Sequence, residues 1–201
     1  MGGAGHCQKI IFRYLTEMDN DSCHLAVSDL QAGLDEILRS PGDAGALDMI
    51  VRRPRMNERE IVQEGMLDPQ QWLVGDNWLA RYNNVEGADY DRQLTLMNSR
   101  VIALVAGDRE RWPLAGDQLY IDLDLSLANL PPGSRLAVRS AVIEISAVPH
   151  TPCRKFQARF GQGVFEFANS EQGRSLNLRG VNAQIVEAGT VRVGDSAVRA
   201  G

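Results

Sequence analysis

One cysteine stands next to a histidine and two cations near residues 149–156. His150 precedes Cys153 by three positions, and Arg154 and Lys155 follow it directly. The thiolate is the reactive form of cysteine, and neighbouring positive charge favours that form. Cys153 is therefore the first candidate for chemistry in this chain. The competing interpretation is plain packing, because free cysteines are common small apolar residues of protein interiors.

Two prolines flank this candidate. Pro149 and Pro152 restrict the backbone and exclude a helix at their positions. The sequence therefore predicts that Cys153 lies at a stiff corner where a strand passes into a loop. His150 is close enough along the chain to act as a base toward the thiol, and a hydrolase built on that pair is one hypothesis. The sequence offers no obvious third residue to orient the histidine.

Bulk composition narrows the class of partner. The chain of 201 residues suits one compact domain, and its net charge of −5 argues against nucleic acid as a partner. The charge is unevenly distributed along the chain. Residues 1–134 contain twelve basic residues (Lys or Arg) and twenty-one acidic residues (Asp or Glu), whereas residues 135–201 contain nine basic and five acidic residues. The positive final third contains Cys153. This positive region would suit a small anionic ligand, although an uneven charge distribution more often reflects only a solvated surface.

Cysteine spacing and hydropathy indicate the cellular compartment in which the protein is found. Cys7, Cys23 and Cys153 are odd in number, far apart and outside any CxxC motif, which predicts neither a disulfide framework nor a zinc site. No apolar run approaches the roughly 18 residues of a membrane span. Residues 1–9 are Gly-rich and unlike a signal peptide. We therefore expect a cytoplasmic protein with no membrane partner.

The hydropathy pattern divides the chain into an N-terminal extension, residues 1–45, and a main domain, residues 46–201. The extension contains one predicted amphipathic helix, which starts near Ser28 and places Leu30 and Ile37 on one face. A Ser-Pro-Gly-Asp turn ends this helix. We predict that the extension packs on the main domain and has no chemistry of its own.

Many short strands are predicted in the main domain. They fall at residues 47–53, 59–65, 94–96, 119–125 and 134–148, with a terminal hairpin formed by 181–185 and 191–193. Asn98 is placed to cap a helix that ends at Gly107. Asp122 and Asp124 share one face of their strand and are interpreted as solvated carboxylates. Because numerous short strands tend to close, we predict a mainly β fold, a small β-barrel with peripheral helices.

Five segments together resemble the MOSC domain, the β-barrel module of molybdenum cofactor sulfurases, in its standalone bacterial form. No single tetrapeptide is specific, and the order and spacing of the segments carry the resemblance. The matching segments are residues 73–81, 93–100, 115–133, 149–161 and 178–195. The resemblance implies a closed or partly open barrel of the MOSC type.

The resemblance also implies that Cys153 either carries sulfur as a persulfide or ligates molybdenum in a bound molybdopterin cofactor. A thiolate suits both roles, as a nucleophile and as a soft ligand. Relatives that hold the cofactor reduce N-hydroxylated compounds, so the implied activity is either a molybdenum-dependent reduction or sulfur transfer. Pyridoxal phosphate is not expected, because the sequence shows no counterpart of the sulfurases' aminotransferase-like domain. The implied partners are a sulfur donor or redox protein and a small-molecule substrate.

Further site residues follow from the same resemblance. His150 would tune the thiolate together with its cationic neighbours. The implied cofactor-binding residues are Thr151, Arg154, Lys155, Arg179, Asn182 and Asn129. Arginine suits an anionic pterin and its phosphate because it forms bidentate contacts. The alternative function is a non-catalytic barrel module that binds an anionic metabolite or a protein partner with its positive C-terminal region.

Overall fold

The computed structural model describes residues 10–13, 24–82 and 90–200. Strands in these ranges are β1 (Ile10–Arg13), β2 (Ala44–Arg52), β3 (Glu58–Val62), β4 (Glu64–Asp68), β5 (Trp72–Leu73), β6 (Leu94–Asn98), β7 (Leu119–Asp122), β8 (Arg135–Val138), β9 (Ala141–Ile145), β10 (Val181–Glu187), β11 (Gly189–Arg192) and β12 (Ser196–Ala200). The helices are α1 (Val27–Ala32), α2 (Leu34–Leu38), α3 (Trp78–Tyr82), α4 (Ser99–Ala106), α5 (Arg154–Phe160), α6 (Gln162–Asn169) and α7 (Glu171–Ser175). Short 3₁₀ helices cover Tyr90–Arg92 and Arg109–Ala115.

Seven of the strands close into a barrel. The order around the ring is β2, β12, β8, β9, β10, β6 and β7, and β7 pairs back with β2. The β6–β7 pair is parallel, and the other pairs of the ring are antiparallel. Closure removes the two edges that an open sheet would expose. The prediction of a mainly β fold, a small barrel with peripheral helices, is confirmed.

The remaining strands flank this ring. The first half of β2 pairs with β12 and its second half with β3, which in turn pairs with β1. A separate sheet has the order β11, β4, β5. The predicted terminal hairpin is therefore wrong, because β10 lies between β9 and β6 whereas β11 pairs with β4. The turn between them was recognised from local residues, but the partner of β11 comes from more than a hundred residues earlier in the chain.

Alternating side chains fill the barrel. Leu96 of β6 and Ile121 of β7 lie in the inner core, whereas their neighbours Met97 and Tyr120 lie in a second core outside the sheet. The other ring strands contribute to the inner core in the same way, through Leu47, Ile50, Leu136, Val138, Ala141, Ile143, Ile145, Val181, Ala183, Ile185 and Ala197. The period of two along the strands therefore separates the two cores, except in β2, where the register shifts between Leu47 and Met49.

Helices cover the outer face. Asn98 caps α4 as predicted, since its Oδ1 accepts hydrogen bonds from the backbone N–H groups of Arg100 at 2.7 Å and Val101 at 3.2 Å. The predicted helix of the extension is two short helices, α1 and α2, which meet at Gly33. A Cβ there would lie 2.6 Å from the side chain of Leu104, so the small residue allows close contact with α4. Both short helices contribute buried side chains to the outer core.

Two further predictions change. The strand predicted at 134–148 is broken into β8 and β9, because Arg139 adopts a positive φ of 54° at the turn between them. The strand predicted at 119–125 ends at Asp122, whose carboxylate accepts two hydrogen bonds from Arg100 instead of being only solvated. Asp124 lies beyond the strand and accepts a hydrogen bond from the backbone N–H of Ser126. Neither carboxylate contributes to the pocket described below.

None of the helices in the described ranges has both the length and the apolar character needed to cross a membrane.

Candidate functional site

A pocket of about 240 Å³ opens where β9 ends and β10 begins. One wall is the segment 145–152 that follows β9, and another is the segment 168–181 that leads through α7 into β10. Most of the lining is apolar, with polar groups from Ser146, His150, Thr151, Asn169, Arg174, Asn177 and Arg179. A concave, mainly apolar pocket with a few converging polar groups is the usual form of a small-molecule site.

A buried ion pair lies at the base of this pocket. Asp117 is completely buried, and its Oδ2 accepts a hydrogen bond from Nη1 of Arg179 at 2.7 Å. Nη2 of Arg179 donates to the carbonyl oxygen of Ala115 at 3.0 Å, and the guanidinium lies 4.6 Å from the ring centre of Phe156. The charge of Arg179 is thus balanced inside the protein before any ligand binds.

His150 lies between this ion pair and the pocket. Its Nδ1 is 3.5 Å from Oδ1 of Asp117. The two groups are close enough for electrostatic attraction, but their geometry is not that of a hydrogen bond. Both atoms are sealed from solvent and have no other hydrogen-bond partner among the described residues. Burial, reinforced by the positive charges of Arg179, Arg53 and Arg92, lowers the pKa of His150 well below its ordinary value. The imidazole is therefore neutral at neutral pH, although 16% of its side-chain surface remains exposed.

Cys153 lies beside the pocket and does not line it. It is the residue before the first turn of α5, and its thiol is free and exposed. The backbone between β9 and Cys153 is irregular, as predicted for a strand that passes into a loop, but this loop leads into a helix that the sequence did not indicate. Arg154 and Lys155, in the first turn of that helix, are also exposed and outside the pocket lining. Cys7 and Cys23 lie outside the described residues.

The other predicted site residues divide between the pocket and its scaffold. Thr151 and Arg179 line the pocket. Asn182 is buried below it and donates its Nδ2 to the carbonyl oxygen of Val148 at 3.0 Å, which fixes the segment after β9 against β10. Asn129 donates its Nδ2 to the carbonyl oxygens of two loop residues and lies outside the pocket lining. The structure thus brings His150, Thr151 and Arg179 together, with Cys153 on the adjoining surface.

Sequence reasoning missed two residues of this site. Asp117 follows Gly116 in the sequence and was given no functional role, and its partner Arg179 is 62 positions away. Arg174 lines the pocket from α7, is exposed, and forms no ion pair with any residue in the described part of the chain. No local motif marks either residue, since an isolated Asp or Arg is common on any protein surface.

Comparison with protein-family models places residues 87–198 in the MOSC domain. The chain belongs to the MOSC domain family. This match covers more than half of the sequence and includes Asp117, the segment 145–152 and Arg179, although β2 of the barrel precedes it. The resemblance inferred from the five segments is confirmed.

Solved structures share the fold. One is the YuaD protein from Bacillus subtilis, at a TM-score of 0.57 and 18% identity over 79% of this chain and 97% of that chain. Another is YiiM from Escherichia coli, at a TM-score of 0.51 and 18% identity over 78% of this chain and 70% of that chain. At these identities the likeness concerns the fold alone. None of the functionally curated proteins compared with this chain matches it.

Proposed function

We propose that Cys153 is the reactive centre of this MOSC domain and that it carries sulfur as a persulfide. The observation that carries the proposal is the position of the thiol, which is free and exposed on the residue that follows the pocket-lining Pro152. A sulfur donor on another protein needs such access, because a buried thiol cannot meet a donor residue. Arg154 and Lys155 on the same surface attract an anionic persulfide or thiolate.

The transfer is one displacement at sulfur. The thiolate of Cys153 attacks the outer sulfur of a donor persulfide, R–S–SH, so that a new S–S bond forms at Cys153 while the donor's S–S bond breaks. The products are the Cys153 persulfide and the donor thiolate, and no external oxidant or reductant is consumed. The reverse step, with an acceptor thiolate as the nucleophile, delivers the sulfur. The chain thus needs a donor and an acceptor, and we propose that at least one of them is a protein.

A second candidate is ligation of molybdenum by Cys153 in a pterin cofactor. The described residues contain no group of three or more His, Cys, Asp or Glu that could hold a metal ion by itself, so the metal would have to enter with ligands of its cofactor. The residues fit such a group in part: Cys153 supplies a soft ligand, Arg154, Lys155 and Arg174 supply charge for a phosphate, and Thr151 and Arg179 line the adjoining pocket. The cofactor would pass electrons from a redox partner to an N-hydroxylated compound.

Mass spectrometry tests the first candidate directly. The double variant C7S/C23S retains Cys153 as its only thiol and is incubated anaerobically with a persulfide donor such as glutathione persulfide. We expect a +32 Da adduct on the peptide that contains Cys153. This adduct should disappear when a thiol acceptor is added, because the acceptor takes the sulfur atom. The matched control C153S, in which Cys7 and Cys23 remain, should not accumulate a transferable adduct.

Elemental analysis separates the second candidate from the first. Molybdenum and pterin that copurify with the anaerobic wild type, and are lost in C153S, would favour cofactor ligation over sulfur transfer. If neither an adduct at Cys153 nor molybdenum is found, the reactive-cysteine proposal fails. A C153A variant that still binds an anionic metabolite or a protein partner would then favour the non-catalytic barrel module.

A further inference from the structure

The two edges of the His150 ring have different surroundings. The Nδ1 edge faces Asp117 and is sealed from solvent, whereas the residue also lines the pocket with its remaining surface. Nε2, the other ring nitrogen, is not among the buried side-chain atoms of the described residues that lack a hydrogen-bond partner. It points away from the carboxylate, and the pocket is the cavity that His150 lines.

The surroundings of Asp117 decide where the imidazole carries its proton. Oδ2 of Asp117 accepts a hydrogen bond from Arg179, while Oδ1 has no hydrogen-bond partner and faces Nδ1 of His150. A proton on Nδ1 is attracted by this carboxylate oxygen across 3.5 Å, whereas a bare Nδ1 lone pair at the same distance would be repelled by it. The neutral ring therefore carries its proton on Nδ1, and Nε2 presents a lone pair to the pocket.

We propose that this pocket binds a small, mainly apolar molecule with an uncharged O–H or N–H group at its His150 end, and that His150 Nε2 accepts a hydrogen bond from that group. The apolar walls favour an apolar body. An ionic ligand is disfavoured at the base, because the charges of Asp117 and Arg179 already balance each other and a further buried charge would lose its hydration without a partner. In this arrangement Asp117 is a positioning residue for His150. The site does not depend on the chemistry of Cys153.

The proton position can be measured without a ligand. In the full chain labelled with ¹⁵N-histidine, long-range ¹H–¹⁵N correlation spectra at neutral pH should show His150 protonated on Nδ1, with the resonances assigned by comparison with H150Q. The D117N variant presents an amide where the carboxylate was, so the proton should shift toward Nε2 in a substantial share of the molecules. Protonation of His150 on Nε2 in the wild type, or an unchanged spectrum in D117N, would overturn the role given to Asp117.

Phenol and toluene test the ligand class, because they have nearly the same shape and only phenol has a donor. Ligand-observed NMR titrations of the wild type should show phenol binding roughly two- to tenfold more tightly than toluene, the range expected for one hydrogen bond. That preference should disappear in H150F, which keeps a ring of similar size, and should be partly restored in H150Q, whose amide oxygen can accept. Equal affinities in the wild type, no binding of either compound, or a preference that survives in H150F would each overturn the proposal.

Discussion

Replacing Asp117 by asparagine removes one charge from a fully buried ion pair and leaves the other in place. The Arg179 side chain is 6% exposed, so water cannot take over from the lost carboxylate. It would retain its hydrogen bond to the carbonyl of Ala115 and its contact with the ring of Phe156. Breaking a buried pair in this way costs about 3–5 kcal/mol, a large share of the roughly 5–15 kcal/mol that stabilises a typical domain.

Urea unfolding followed by tryptophan fluorescence measures this cost. We expect D117N to unfold at a lower urea concentration with an unchanged slope, since the surface exposed on unfolding stays the same. The matched control is the Arg135–Glu144 pair, which joins β8 and β9 with side chains that are 51% and 31% exposed. E144Q should lose less than about 1 kcal/mol, because solvent screens an exposed pair.

The double variant D117L/R179M completes the test. Replacing both charges by apolar side chains removes the uncompensated charge, so this variant should recover most of the stability that D117N loses. If D117N loses no more than E144Q, or if the double variant is less stable than D117N, the inference that Asp117 and Arg179 balance each other inside the protein is wrong.

Two more predictions concern stability. Because burial lowers the pKa of His150 in the folded state, the folded protein binds fewer protons than the unfolded chain at low pH. The free energy of unfolding should therefore be insensitive to His150 above the unfolded pKa of about 6.5. Below that pH, the free energy of unfolding should fall by up to about 1.4 kcal/mol per pH unit. Urea titrations across this range should show a shallower decline in H150Q, and equal slopes in both proteins would contradict the buried neutral state. Gly180 and Gly116 both have positive φ, 98° and 93°, but a Cβ at Gly180 would lie 2.1 Å from a backbone oxygen of β6, whereas the space at Gly116 is open. G180A should therefore lower the thermal unfolding midpoint more than G116A, and equal shifts in calorimetry would show that the chain relaxes around the added methyl group.

Some residues of the candidate site could be predicted from the sequence alone, and others could not. Cys153 and His150 occur within four positions, so a local pattern of residue types was enough to select them, whereas Thr151 was selected through the resemblance to the MOSC family. Arg179 was selected only through the resemblance to the MOSC family, and the structure places it on the pocket lining. Asn182 and Asn129 were selected in the same way, but their side-chain amides bind backbone carbonyls. An amide side chain serves a ligand or the backbone equally well, and only its surroundings decide between them.

Local periodicity determined much of the architecture. Apolar residues at every second position predicted strands at residues 94–96, 119–125 and 181–185, of which the second ends early at Asp122, and the Asn98 cap predicted where α4 begins. These signals are carried by neighbouring residues and by the geometry of one strand or one helix turn. The sequence alone therefore established a β-rich chain with a reactive-cysteine candidate at a proline-flanked corner.

The tertiary structure decided which strands pair and which charges meet. β11 pairs with β4 and not with its neighbour in sequence, β10. Asp117 contacts Arg179 and His150, which are distant from it in the chain. Pairing of this kind depends on closure of the whole barrel, since each strand can hydrogen-bond to many others with equal local energy and only the packed interior selects one arrangement. For the same reason the position of His150, which lines the pocket and has its Nδ1 near a buried carboxylate, is a property of the folded chain and of no segment within it.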